Sequence, residues 1–395
     1  MDLVKRGKLC AIIPSVSSPF LPPPSAPPRW ITRSDQIRRM AADLNSHPIV
    51  SVDTESNSLY VYQEQVCLLQ FSTGETDYLV DPLILRDELE CLGEIFADPT
   101  IEKVFHAAEY DVICLKRDFR FSFNNLFDTM IAGRILGRTA IGLAAILAEE
   151  FGIELDKRYQ RANWGIRPLP PEMLAYARLD TYYLLPLRER LKAALIESER
   201  WGLAQEDFQR VCRTEIPEAN YNDQWMRISG SQDLTPRQAA VLEELCRYRD
   251  RRAQESDLPA FKVFANQSLL EIAVQSPRSL DELKLVKGLS PRQLNRHADG
   301  LLQAVGRGLS GKPLYRPSNH RPEEHMLNRL EHLRNWRKQA GKELGVESDV
   351  ILPRDTMEQL AQAGPGSLAN LEILMKDLPW RLEHFGPDIL KQLNK

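Results

Sequence analysis

Asp53 and Glu55 stand two residues apart in the run Ile49-Val50-Ser51-Val52-Asp53-Thr54-Glu55. If this run is a strand, its period of two turns both carboxylates to one face and Val50 and Val52 to the other. Two like charges leaving water together cost several kcal/mol unless something positive lies between them, and a divalent metal ion is the natural partner. Taken alone, the pair reads more readily as a solvated strand end. Asp111 is an acid on a helix that otherwise presents Tyr110, Ile113, Cys114 and Leu115, and without partners it too reads as a surface position. Asp180 follows Tyr176 by four residues, which places carboxylate and phenol on one helical face.

Four carboxylates supply hard oxygen donors, and no histidine pair or thiolate cluster accompanies them. Such a set suits Mg²⁺ or Mn²⁺ rather than zinc. Two of these ions, roughly 3.5 to 4 Å apart, clamp the attacking and leaving oxygens of a phosphodiester during in-line displacement. Tyrosine ordinarily ionises at about pH 10, so Tyr176 is expected to orient the attacking water by hydrogen bonding rather than to serve as a phenolate base.

The elements that must position these groups show in the hydropathy pattern. Strands are expected at Ile49 to Glu55, Val66 to Phe71, Tyr78 to Asp81 and Lys103 to His106, with a helix around Arg86 to Ala97. This mixed α/β domain is expected over residues 29–215, after a disordered proline-rich tail at 1–28. A linker at 216–232 leads to a helical domain at 233–307, and a second linker at 308–322 leads to another at 323–395. Thr235-Pro236 and Ser290-Pro291 each place an N-cap before a proline, while Ser279 with Glu282 and Asp355 with Glu358 have the spacing of a capping box. The run Ser279 to Leu283 is answered by Ser367 to Leu371, and Leu269 to Ala273 by Met357 to Ala361. Both matches share one offset of about 88 residues, so two copies of one module are expected.

A chain of 395 residues, 43 % apolar and 27 % charged, is long enough for two or three domains and too apolar for disorder. Its net charge of -4 does not exclude a nucleic-acid partner, since phosphate is met locally by basic patches or by metal. The six cysteines are scattered with no Cys-x-x-Cys pair, as free thiols in a reducing compartment would be. No apolar stretch approaches the roughly 20 residues that span a bilayer. A cytoplasmic protein without a membrane partner is therefore expected.

With Asp-x-Glu on a strand, Asp111 in His106-Ala107-Ala108-Glu109-Tyr110-Asp111, and the Tyr176 to Asp180 helix in this order, the chain resembles the DEDDy exonucleases and, within them, ribonuclease D. Phe127 to Leu136, Tyr159 to Trp164 and Arg167-Pro168-Leu169 extend the likeness. The resemblance implies an α/β ribonuclease H-like exonuclease domain. Asp53, Glu55, Asp111 and Asp180 are then metal ligands, and these four with Tyr176 are the catalytic residues. Its implied activity is removal of nucleoside 5′-monophosphates from an RNA 3′ end, in tRNA 3′ maturation or the trimming of structured RNA, with tRNA precursors as partners.

The two helical-bundle domains are similar to the helicase and RNase D C-terminal (HRDC) domain. The likeness is marked in Asp257 to Val263 and Gly288-Leu289-Ser290, whereas the second copy lacks the Gly-Leu-Ser turn. Lys157 matches a family lysine near the substrate, and His106 either touches the terminal nucleotide or caps its strand. Asp128, at a helix start, reads as an N-cap rather than a ligand, and Trp164 as core or pocket wall. Arg247 to Arg252 reads as a solvated helical face, or as a surface tracking a nucleic-acid backbone. Two rival readings remain: the same chemistry on DNA, and a nuclease-dead RNA-binding scaffold. Retention of four acids and Tyr176 speaks against the second.

Overall fold

The computed structural model describes residues 21–217, 221–317 and 323–395. Most of the expected tail (1–20) and parts of the expected linkers (218–220 and 318–322) lie outside the described residues. Contacts divide the described chain into two compact units, one of residues 21–55, 66–216 and 323–395, the other of residues 56–65, 217 and 221–317.

The first unit is built on a mixed sheet of β1 (Arg29–Ile31), β2 (Ile49–Ser56), β3 (Val66–Ser72), β4 (Asp77–Val80), β5 (Glu102–Phe105) and β6 (Leu126–Asp128). The strand order is β1-β4-β3-β2-β5-β6. Neighbours β1 and β4, β2 and β5, and β5 and β6 run parallel, and β3 pairs antiparallel with β4. Val50 and Val52 enter a core with Val66, Leu69, Phe71 and Val80, while Ile37, Met40 and Phe96 supply the helical side. The alternation expected for β2 is thus observed. The three-residue strands β1 and β6 are too short to show a period in the sequence. The expected helix at Arg86 to Ala97 begins later, at Glu90–Ala97, because Asp81 caps a separate short helix, Pro82–Leu85, and a 3-10 turn follows it.

The repeat is present in three dimensions. Helices begin at Pro236 and Glu324, Ala260 and Ser348, Asn266 and Arg354, Leu280 and Leu368, and Pro291 and Pro379, and in each pair the starts are 88 residues apart. Thr235 and Ser290 close capping boxes with Gln238 and Gln293, and Ser279 and Ser367 cap equivalent helices in the two copies. Asp355 does not cap. Pro353, with its preset φ, starts that helix, so Asp355 lies inside the first turn and pairs with Arg210, while Glu358 pairs with Arg354. The Arg247 to Arg252 run is not simply a solvated face or an open binding surface, since its middle is packed inward. Tyr248 is buried against His297 at 3.0 Å, and Arg249 is buried on the Phe264 carbonyl and Asn266.

The two copies keep different company. The first has its own core in the second unit, around Leu242, Leu245, Phe264, Leu269 and Leu301; Trp225 and Ile228, from the stretch read as a linker, belong to it. The second copy packs within the sheet-containing unit. There Arg381, fully buried, pairs with Glu206 at 2.7 Å and Asp207 at 2.9 Å and donates to the Val350 carbonyl at 2.9 Å. Glu206 also accepts from the backbone N–H groups of Trp380 and Arg381, which satisfies free donors at the start of helix Pro379–Leu393. Gly202 lies so close to the Trp380 ring that an added Cβ would stand 2.4 Å from it. No described helix is long and apolar enough to cross a membrane.

Removing one partner of a buried, hydrogen-bonded ion pair leaves the others charged and unpaired. Arg381→Ala is therefore expected to lower unfolding free energy by about 3–5 kcal/mol. Urea unfolding checks this, and a loss below about 1 kcal/mol, the range of a surface pair, would contradict it.

Candidate active site

Strand β2 delivers Asp53 and Glu55 to one face, and Ser51, two residues earlier on that face, fixes what lies opposite. Its hydroxyl is within 2.9 Å of the Thr181 carbonyl, in the residue after Asp180. Helix Pro171–Tyr182 is thereby tied to the strand, and Arg178 secures it further by pairing with Asp77 of β4. Asp53, Glu55 and Asp180, all half-buried, each offer a carboxylate oxygen within 4.8 Å of the others. Tyr176 lies one turn before Asp180 and is close enough to feel the charges of Asp180, Glu55 and Asp53.

Asp111 is not in that tightest trio. It is buried in the first turn of helix Glu109–Phe119, where it accepts a short hydrogen bond from Thr54, between Asp53 and Glu55. From there it repels both of those acids. Its burial removes the surface-position reading.

Asp128 is an N-cap, accepting from Met130 and Ile131 at the start of helix Thr129–Ile135. It also accepts from the N–H groups of Ala107 at 3.1 Å and Ala108 at 2.7 Å. Those residues form the turn that launches the Asp111 helix, with Ala107 at φ +62°. Asp128 therefore positions a candidate ligand without joining the cluster. The sequence gives little sign of this second role, nor of the tying roles of Ser51 and Thr54, because each depends on a partner distant in sequence. A polar serine in an otherwise apolar strand was the one available signal for Ser51.

His106 is half-buried, and its Nδ1 lies 2.9 Å from Thr129 Oγ1. Thr129 spends its own hydrogen on the Phe105 carbonyl at 3.0 Å, so it accepts from the imidazole. Nδ1 then carries the proton and Nε2 is left as an acceptor. Burial drops the His106 pKa to about 4, so the ring is neutral. Lys157 is exposed, in the loop that also carries Tyr159, whose ring meets Tyr176 edge-on at 5.6 Å. Trp164 is a buried wall beside Tyr176, with ring centroids 6.2 Å apart.

The electrostatics of the four acids are adverse. Burial, followed by repulsion from Asp111, Asp180 and Glu55, raises Asp53 well above the ordinary carboxylate range. Burial, with Asp180 and Asp111, raises Glu55 to about 9, and burial raises Asp111 and Asp180 to about 7 each. Among the described residues, no lysine or arginine forms an ion pair with any of the four. A set of hard oxygen donors that repel one another and lack a cationic side chain fits a divalent cation.

Mixed sheet, carboxylate cluster and paired helical modules together define an α/β protein with a candidate metal site. Residues 28–196 match the 3'-5' exonuclease family, and residues 238–305 and 326–393 each match the HRDC domain. The chain thus carries a 3'-5' exonuclease domain followed by two HRDC domains. It is similar to ribonuclease D of Bartonella henselae, 27 % identical over 91 % of this chain and 88 % of that one. The crystal structure of Escherichia coli RNase D, described as an exoribonuclease involved in structured RNA processing, aligns with a TM-score of 0.69 at 26 % identity. That alignment covers 93 % of this chain and 99 % of that one. The exosome complex exonuclease RRP6 of Saccharomyces cerevisiae is 33 % identical over 63 % of this chain but only 36 % of its own length. Against the first three curated relatives, the matched region spans 34 to 48 % of their length.

The raised carboxyl pKa values make the site a stability cost that depends on pH. A carboxyl raised in the folded state favours folding fully below its unfolded pKa of about 4, and that contribution is lost as pH rises through the folded values. For Asp111, Asp180 and Glu55 the window runs up to about 7 and about 9. A bound divalent cation offsets the loss. The rise in melting temperature on adding Mg²⁺ is therefore expected to grow between about pH 5.5 and about pH 8.5. Equal rises at both ends, measured by scanning calorimetry, would contradict it.

Proposed function

We propose that this chain is a divalent-metal-dependent 3′-to-5′ exoribonuclease that releases nucleoside 5′-monophosphates. The observation that carries the reading is the gathering of Asp53, Glu55 and Asp180 within 4.8 Å, with Asp111 beside them and, among the described residues, no lysine or arginine paired to any. Asp53, Glu55, Asp111 and Asp180 would hold two ions, Mg²⁺ or Mn²⁺. Bound there, the metal would supply Lewis acidity, favouring a hydroxide nucleophile and stabilising charge on the phosphodiester oxygens.

The protein groups supply placement. Burial and the neighbouring carboxylates push the Tyr176 pKa up, so its hydroxyl stays protonated and orients the attacking water by hydrogen bonding. The neutral His106, with Nε2 as acceptor, is suited to a hydroxyl of the terminal ribose. Lys157, exposed on the neighbouring loop, is suited to a substrate phosphate. Preference for RNA is supported by the relatives, ribonuclease D and RRP6. Structured RNA such as a tRNA precursor is the substrate proposed, in the cytoplasm. The five cysteines among the described residues stand as thiols outside any disulfide, which suits a reducing setting.

The test is shortening of a 5′-labelled single-stranded RNA with a free 3′-hydroxyl. Mg²⁺ or Mn²⁺ is expected to support stepwise loss of mononucleotides, chelation to stop it, and Asp111→Asn to abolish it. Full activity in that variant would remove the central claim. DNA of the same sequence is expected to be degraded more slowly, and equal rates would remove the assignment to RNA.

A further inference from the structure

The Tyr176 hydroxyl makes no hydrogen bond to another described residue, so the placement of this side chain rests on what surrounds its ring. Two aromatic rings do so, Tyr159 edge-on at 5.6 Å and Trp164 tilted at 6.2 Å. Trp164 is 1 % exposed, yet its indole N–H has no partner among the described residues. No polar contact of the ring fixes it, and its position depends on packing and on its own backbone.

That backbone is held by Arg167. One terminal nitrogen, Nη1, donates to the carbonyls of Trp164 at 2.8 Å and Ile166 at 2.7 Å. The other, Nη2, reaches the Cys67 carbonyl of β3 at 2.7 Å. The same guanidinium forks onto Asp81, with Nε to Oδ2 at 2.6 Å and Nη2 to Oδ1 at 2.8 Å. Asp81 is fully buried just after β4 and is itself fixed, since its carboxylate caps helix Pro82–Leu85 through Leu83 N–H at 3.1 Å. A single planar cation thus ties the Trp164 loop to β3 and to the residue that follows β4. Lysine, a point charge without the fork, could not make this set of bonds.

We propose that Arg167 and Asp81 form a positioning clamp for Tyr176. By fixing the Trp164 wall, the pair sets where the tyrosine ring rests and hence where its hydroxyl meets the attacking water. This rests on the reading of Tyr176 as the group that orients water. Hydrogen bonds weaken steeply with misalignment, so a small displacement of the wall acts on the chemical step and leaves RNA binding alone.

The experiment is a double-mutant cycle of Arg167→Lys with Tyr176→Phe, assayed on single-stranded RNA with Mg²⁺. Steady-state assays give kcat and KM, and single-turnover assays with enzyme in excess follow the slow variants. Arg167→Lys is expected to lower kcat about tenfold or more, with KM for RNA and the Mg²⁺ midpoint within about twofold of the parent. In the Tyr176→Phe background the same substitution is expected to have little further effect, because no hydroxyl remains to be placed. Effects that multiply in the double variant, or a rise in KM at unchanged kcat, would overturn the clamp while leaving the role of Tyr176 standing. Parental activity in Tyr176→Phe alone would instead remove the reading on which the clamp rests. Should Arg167→Lys fail to fold, Asp81→Asn carries the same cycle, since the amide oxygen keeps the cap on Leu83 while half of the fork is lost.

Discussion

Bringing Asp53, Glu55 and Asp180, all half-buried, within 4.8 Å of one another, with Asp111 near enough to repel two of them, is unfavourable when no lysine or arginine among the described residues pairs with them. The surrounding structure has to hold the acids there against both repulsion and desolvation. It does so from outside the cluster. Ser51 ties β2 to the helix of Asp180, Thr54 holds Asp111, and Asp128 pins the turn from which the Asp111 helix starts. The apolar opposite face of β2, with Val50 and Val52 in the core, anchors the strand that carries the first two acids.

What could be read from the sequence followed from local geometry. The period of two put Asp53 and Glu55 on one face, and the four-residue spacing put Tyr176 with Asp180, because both rules involve neighbours along the chain. Asp111 offered no such neighbour, and only its burial separates it from a surface acid. The same limit hid the supports, since Arg167 meets Asp81 across 86 residues and Asp128 meets Ala107 across 21. Spacing also misled where a stronger local signal competed, as at Asp355, where Pro353 starts the helix before the expected cap. In Arg247 to Arg252 the charge pattern was visible, but Arg249 turns inward because carbonyl and amide acceptors await it there.

The helical repeat separates what a fold specifies from what its side chains decide. Five helix starts keep one offset, so the frame of the module is the same in both copies. At equivalent positions the chemistry has diverged. Gln293 closes a capping box and donates to the Val263 carbonyl, whereas Arg381, 88 residues on, is buried against Glu206 and Asp207. Lys284, Lys287, Arg292 and Arg296 of the first copy are exposed, and the second copy has Glu372, Met375, Trp380 and His384 in their places. Trp380, in the place of Arg292, and its neighbour Arg381 are the residues that meet the helix carrying Gly202 and Glu206. An exposed lysine or arginine there would have to be desolvated on docking, while an indole brings apolar area and a paired arginine brings its own neutralisation. Docking and a free cationic surface place opposite demands on the same positions, so the two copies cannot be interchangeable even though their helices superimpose in sequence order.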